Sequence, residues 1–292
     1  MADLERVAEA LAYIERSLQR EIAVADVAGA VGYSVYHFCR VFNGAVRHTP
    51  YDYLVRRRLS EAARELVEGD RRVLDVALDY QFSSAETFSR AFKRLLGVPP
   101  SRWRQEGRID PRRCMPALTP AHLARLAQGR LTPRLEQRAR VILAGVAGRV
   151  RDRAQEVPAL WATLRRELDS DLAKGLGGGE EGGYFGLAGY GADWASEGVT
   201  YLAGIEVPSA EVTHPALVTK VVPQAQVARF AHPGPAATLG LTLDYIHHTW
   251  MPKSGCRLAW PVEIEARSSP DPTDPDLELW IDIPVELISS PL

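Results

Sequence analysis

The amino-acid sequence predicts a two-domain protein. An all-α head is followed by an α+β domain made of duplicated strand-helix-strand-strand units around a groove. Three observations predict this. Residues 34–53 (SVYHFCRVFNGAVRHTPYDY) and 84–103 (SAETFSRAFKRLLGVPPSRW) keep one frame: Phe38 matches Phe88, Phe42 matches Phe92, Pro50 matches Pro100, and Tyr53 stands where Trp103 does. Past Arg140 the apolar pattern changes from helical to mixed strand and helix. Charge divides at the same place: residues 1–140 carry 24 Lys and Arg against 17 Asp and Glu, and residues 141–292 carry 11 against 20. A basic half beside an acidic half points to a polyanionic partner for the first and another role for the second.

The elements of the head follow in order. Leu4, Val7, Leu11, Ile14 and Leu18 share one helical face, and Val24, Val27 and Val31 mark a second, short helix. Gly32 supplies a turn and Ser34 an N-cap for a helix with Phe38, Val41 and Phe42 inward. Pro50 opens a long helix whose apolar stripe runs from Tyr51 to Leu66, with Arg56, Arg57 and Arg58 crossing its polar side. The pattern then repeats. Val73, Val76 and Ala77 form a short helix, Tyr80-Gln81-Phe82 a turn, and a helix capped by Ser83 or Ser84 turns Phe88, Ala91, Phe92 and Leu95 inward. A short helix, a tight turn and a second helix with a polar outer face make a helix-turn-helix, whose second helix fits the DNA major groove. Two such units on one scaffold reach successive grooves, ~34 Å apart, without dimerisation. An all-α bundle duplicated for packing alone satisfies the same periodicity.

Residues 108–136, with Pro111, Pro116, Pro120 and Pro133 among arginines, read as an inter-domain linker holding one short helix. The second domain begins near residue 137. VILAGVAGRV (141–150) reads as a buried strand and EVPALWATLRREL as a helix with Trp161 packed in its core stripe. GLGGGEEGG (175–183) reads as a flexible loop, and YFGLAGYGAD and TYLAGIEV as strands. One or two strands then precede the helix AATLGLTLDYIHHTW, followed by the strands WPVEIEAR and LELWIDIPVEL. No apolar run approaches the ~20 residues of a membrane span. Charges from Asp3 onward leave no signal peptide. Cys39, Cys114 and Cys256 form no CxxC, and a reduced cytoplasm is the expected location, with neither metal nor cofactor.

At FSRAFKRLLGVPPSRWR (88–104) the head resembles the DNA-binding domain of the bacterial AraC/XylS transcription regulators, over residues 1–107. The resemblance implies seven helices, a rigid connector at 50–66 and recognition helices at 34–44 and 84–95. Carried over by position, the base-reading candidates are Tyr36, Cys39 and Arg40 in the first, and Ala85, Glu86, Ser89 and Arg90 in the second. Phosphate candidates are Ser34, Thr49, Ser83 and Lys93. Gln81 stands where the family has a turn glycine, so a positive φ is expected of it.

TYLAGIEV and ARFAHPGPAATLGLTLDYIHHTWMPKSG make the second half, 137–292, similar to GyrI-like small-molecule-binding domains. That resemblance implies an aromatic groove for amphipathic, often cationic, ligands with a buried glutamate in it. The matching glutamate is Glu263, with Tyr184, Phe185, Tyr190, Trp194, Tyr201, Trp250 and Trp260 as candidate walls. Alternation puts Glu263 opposite Val262 and Ile264. The expected function is a ligand-responsive regulator of promoter DNA sensing an amphipathic or cationic molecule, with RNA polymerase as a further partner and no enzymatic activity. Two alternatives stay open. One is a GyrI-like hydrolase in which Glu263 activates water and Tyr201 polarises the substrate. The other is a tail that inhibits a large protein partner such as gyrase.

Overall fold

One aromatic chain is built twice in the head. Phe38 meets Phe42 at 5.3 Å between ring centroids and Phe42 meets Tyr53 at 5.9 Å. Phe88 and Phe92 stand 5.3 Å apart, and Phe92 and Trp103 5.9 Å apart. The repeated frame in the sequence is therefore a repeated packing of three rings, each chain tying a helix to the one that follows it.

The computed structural model describes residues 2–128, 131–168, 183–191, 194–211 and 214–288. The chain divides into two units, Met1–Arg130 with Leu243–Pro252, and Leu131–Thr242 with Lys253–Leu292. The helical unit runs α1 (Ala2–Arg16), α2 (Val24–Ala30), α3 (Val35–Val46), α4 (Pro50–Glu68), α5 (Val73–Asp79), α6 (Ala85–Leu96), α7 (Pro100–Glu106) and α8 (Pro120–Ala127). Side-chain oxygens start three of these helices: Ser34 accepts from the His37 amide, Thr49 from Asp52 and Ser84 from Thr87. The turns of the two motifs are left-handed, at Gly32 (φ 72°) and at Gln81 (φ 65°). Gln81 adopts the positive φ expected of it, and its side-chain amide donates to the Gln19 carbonyl at 2.8 Å.

The structure differs from the sequence reading at two places in the head. Arg57 and Arg58 do not lie on a solvated face but are buried. Arg57 donates from Nε and Nη2 to the two oxygens of Glu15, each at 2.9 Å, and from Nη1 to the Met115 carbonyl at 2.6 Å. Arg58 reaches the carbonyls of Leu18 and Arg20 just beyond α1. These partners satisfy charges that helical periodicity alone assigns to water. Much of 108–136, expected as a linker, packs in the helical unit. Cys114, Met115 and Leu123 join its core, and the Leu118 amide donates to the Tyr53 hydroxyl at 3.2 Å.

The second unit contains β1 (Arg134–Arg138), β2 (Val141–Val150), α9 (Arg153–Leu168), β3 (Tyr184–Gly189), α10 (Trp194–Glu197), β4 (Val199–Glu206), β5 (Val218–Val222) and β6 (Ala225–His232). After β6 the chain forms α11 (Leu239–Tyr245) and a π-helical turn at Ile246–Trp250, of which residues 243–250 belong to the helical unit, and the second unit resumes with β7 (Cys256–Leu258), β8 (Val262–Arg267) and β9 (Leu279–Leu287). Residues 175–182 of the expected flexible loop lie outside the described residues. The sheet is ordered β1-β6-β9-β8-β3-β4-β2-β5, with β7 paired to β9. This is the expected duplication with one addition. Each repeat starts with an extra strand, β1 or β5, and pairs that strand with the other repeat: β1 with β6 and β5 with β2. The central pair is β3 against β8, where the halves meet.

Candidate DNA-reading helices and ligand site

α3 and α6 are amphipathic helices fixed by their inward phenylalanines, which leaves their outer faces to solvent. Tyr36, Arg40, Glu86 and Arg90 are exposed, Tyr36 at 81%. Cys39, Ala85 and Ser89 are half-buried on the same helices. The Arg90 guanidinium lies 3.9 Å from the Glu86 carboxylate one turn away. All four phosphate candidates, Ser34, Thr49, Ser83 and Lys93, are exposed. The Ser34 and Thr49 oxygens accept helix-capping bonds, which leaves each hydroxyl hydrogen for a phosphate oxygen.

The ligand candidates divide by sheet face. Residues directly opposite in an antiparallel pair share a face. Glu263 stands opposite Ala188, Glu265 opposite Gly186, and Ala188 opposite Tyr201. Both carboxylates, Tyr201 and Tyr184 thus lie on the face that α9 covers with Val157, Trp161 and Leu164. Tyr190 and Trp194 pack in the same cluster, their rings 5.6 Å apart. Phe185 and Trp260 do not: they pack with Ile264 and Leu202 on the opposite face. Trp250 falls in the 243–252 segment of the helical unit. Of the residues of this unit expected around the groove, Glu263, Tyr184, Tyr190, Trp194 and Tyr201 share one side of the sheet, and Phe185 and Trp260 lie on the other.

The carboxylates sit in a buried polar network. Glu263 is 3% exposed. Its Oε1 accepts from the Tyr190 hydroxyl at 3.1 Å and its Oε2 from Arg153 Nη1 at 2.6 Å. Glu265 accepts from Arg153 Nη2 at 3.2 Å, from the Tyr201 hydroxyl at 3.0 Å and from Arg267 Nη2 at 2.6 Å. Trp161 Nε1 donates to the Tyr201 oxygen at 3.1 Å, and the Arg267 guanidinium lies over the Trp161 ring at 4.5 Å. Burial pushes the Glu265 carboxyl up, but Arg267 and Arg153 outweigh it, so the group lies below the ordinary glutamate range. Burial, then Glu265, pushes the Tyr201 phenol up, which keeps it protonated. Gly186 is required here, because a Cβ on it would collide with the Tyr201 hydroxyl and come within 3.1 Å of Glu265 Cδ. Tyr201 spends its proton on Glu265 rather than pointing it at a substrate beside Glu263.

Sequence reasoning assigned Trp161 to the core; the structure places it in the core and in the network at once. Nothing in the sequence reading points to Arg153 or Arg267 as site residues. Arg267 had a local signal in its i+2 spacing from Glu265, which puts both on one face of β8. Arg153 had none, because it stands 110 positions from Glu263 and the fold alone joins them.

Comparison with known proteins assigns both halves. Residues 27–106 match the model of a helix-turn-helix domain, and residues 131–285, more than half the chain, match the GyrI-like small molecule binding domain. The HTH-type transcriptional activator AarP of Providencia stuartii is 40% identical over 98 residues, 34% of this chain and 73% of AarP. The transcriptional regulator Rob of Salmonella typhimurium is 35% identical over 99 residues, 34% of each chain. The crystal structure of the EcmrR C-terminal domain matches 54% of this chain and 98% of its own at 16% identity, with a TM-score of 0.44. With paired helix-turn-helix units in front and the duplicated sheet behind, the chain belongs to the AraC-type DNA-binding transcription regulators that carry a GyrI-like small-molecule-binding domain.

Proposed function

We propose that this regulator reads promoter DNA with the outer faces of α3 and α6 and changes its DNA binding when an amphipathic cation occupies the Glu263 site. One observation carries the reading: a carboxylate 3% exposed, bonded by the Tyr190 hydroxyl and already engaged by a cationic group at 2.6 Å, on the sheet face that also bears Tyr184 and Tyr201. Aromatic faces and a desolvated carboxylate together favour a positively charged, partly apolar guest. Regulation further requires that the guest bind the free and DNA-bound forms unequally.

The test is a titration of the full-length protein against the promoter DNA flanking its own gene, at fixed salt, with and without tetraphenylphosphonium. The expected result is specific DNA binding whose midpoint the cation moves in the wild type and not in Glu263→Gln. A midpoint indifferent to the cation in both proteins overturns the ligand reading and leaves the DNA-binding assignment standing.

A further inference from the structure

The two arginines of the network differ in how they are held. Arg267 belongs to β8, is 4% exposed, and has its guanidinium on Trp161 and on Glu265 Oε2. Arg153 comes from off the sheet, in the first turn of α9, and its side chain is 26% exposed. It is the outermost member of the network and covers a carboxylate that is almost fully buried.

Its backbone position gives Arg153 no other reason to be there. The start of α9 is satisfied without it: the Asp152 carboxylate accepts from the Ala154 amide at 3.0 Å, and Glu156 accepts from the amides of Arg151 and Asp152 at 3.0 and 2.7 Å. A cation at a helix N-terminus meets the positive end of the helix dipole, which disfavours it. Pro158, inside α9, has no amide hydrogen to give the Ala154 carbonyl, so the turn carrying Arg153 lacks one helical bond. What fixes the guanidinium is its contacts with Glu263, Tyr190 and Glu265.

We infer that Arg153 is a built-in occupant of the cation subsite, and that a ligand enters by displacing its guanidinium from Glu263. The charge count sets the ligand class. Withdrawal of Arg153 takes one positive charge away from Glu263 and Glu265, and a ligand carrying one positive charge replaces it. The subsite therefore selects a monocation over a neutral molecule of the same shape. Occupancy by the chain's own arginine lowers the affinity for weak cations, because every ligand competes with an intramolecular rival. Displacement also frees the first turn of α9, which ties ligand entry to a local change in the chain.

The inference rests on the ligand-sensor reading, and the experiment separates the two. Calorimetric titration of the full-length protein is made with tetraphenylphosphonium and with neutral triphenylphosphine oxide, for wild type, Glu263→Gln, Arg153→Gln and the charge-balanced Arg153→Gln/Glu263→Gln. Cooperative melting qualifies each variant as folded. The expected result is that Arg153→Gln binds the cation at least about tenfold more tightly than wild type, the scale of one close charge pair. The neutral probe should show no such gain, and the double variant should lose it. Equal or weaker cation binding by Arg153→Gln overturns the inference; if the wild type still binds and Glu263→Gln does not, the sensor reading survives. If no protein binds either probe, the inference and the sensor reading fall together.

Discussion

Gln81 and Arg47 hold left-handed backbone at φ 65° where their counterparts one repeat away, Gly32 and Gly97, do so at 72° and 82°. The duplication kept the geometry in both copies but glycine in only one copy of each. A side chain in this region costs about 1–2 kcal/mol, partly returned because it restricts the unfolded chain more than glycine does. Gln81 recovers more through its bond to the Gln19 carbonyl. Arg47 closes α3 with its amide on the Asn43 carbonyl, a bond that glycine keeps. Gln81→Ala, which keeps the left-handed backbone and loses the bond to the Gln19 carbonyl, is therefore expected to lower the stability of the helical unit by about 0.5–1.5 kcal/mol, read from urea unfolding followed by far-UV circular dichroism. The strain at Gln81 was legible in the sequence, because the missing glycine stands out against the first copy. The partners of Arg57 and Arg153 were not, since a guanidinium's neighbours depend on tertiary contacts that periodicity does not encode.

Among the elements, α3 and α6 carry the DNA predictions. Arg40 and Arg90 are exposed forks suited to the guanine edge, whereas Lys93 is a point charge suited to phosphate. Arg40→Ala is expected to cost about 1–3 kcal/mol on the specific site and to relax selectivity at one base pair. Lys93→Ala should instead weaken specific and scrambled duplexes alike and lower the salt slope by about 1. Fluorescence anisotropy at several salt concentrations checks both. These helices were legible in sequence because the Phe-x-x-x-Phe spacing repeats at constant offset. Both sheet repeats are legible too, except that β1 overlaps the expected linker, β5 stays open as one of one or two strands, and the pairing of both to the opposite repeat has no local signal. Face assignment was mixed. Alternation placed Glu263 opposite Ile264, but nothing local separates Phe185 from Tyr184 as a groove wall until the β3–β8 register is known.

At the scale of the molecule, the helical unit is discontinuous in sequence and takes in residues 243–252 as well as 1–130. Within it, His248 Nε2 lies 2.9 Å from the Pro111 carbonyl. Burial pushes this imidazole down to about 4, with Asp244 opposing. The folded unit thus keeps His248 neutral where the unfolded chain, near 6.5, binds a proton. Its contribution to stability is full above about pH 6.5 and is lost as the pH falls toward 4. His248→Asn, which keeps a donor for the Pro111 carbonyl, should flatten that acid limb by up to about 1.4 kcal/mol per pH unit. Melting of the full chain between pH 7 and 4 measures it.

The exchange of β1 and β5 has a consequence for how such a sheet is assembled. Each repeat lends its first strand to the other and leaves a vacant edge on its own second strand, β2 or β6. A polypeptide holding one repeat would therefore carry both a loose strand and an open berth of matching register. Two copies of it could dock by mutual donation and rebuild the eight-strand path of the sheet as a symmetric dimer. In the intact chain the same interlock means that the halves cannot part along their pseudo-twofold axis without stripping two outer strands. Separation of the halves is thereby a coupled event, and the central β3–β8 seam beneath the carboxylate network parts only together with the strands at the far rims.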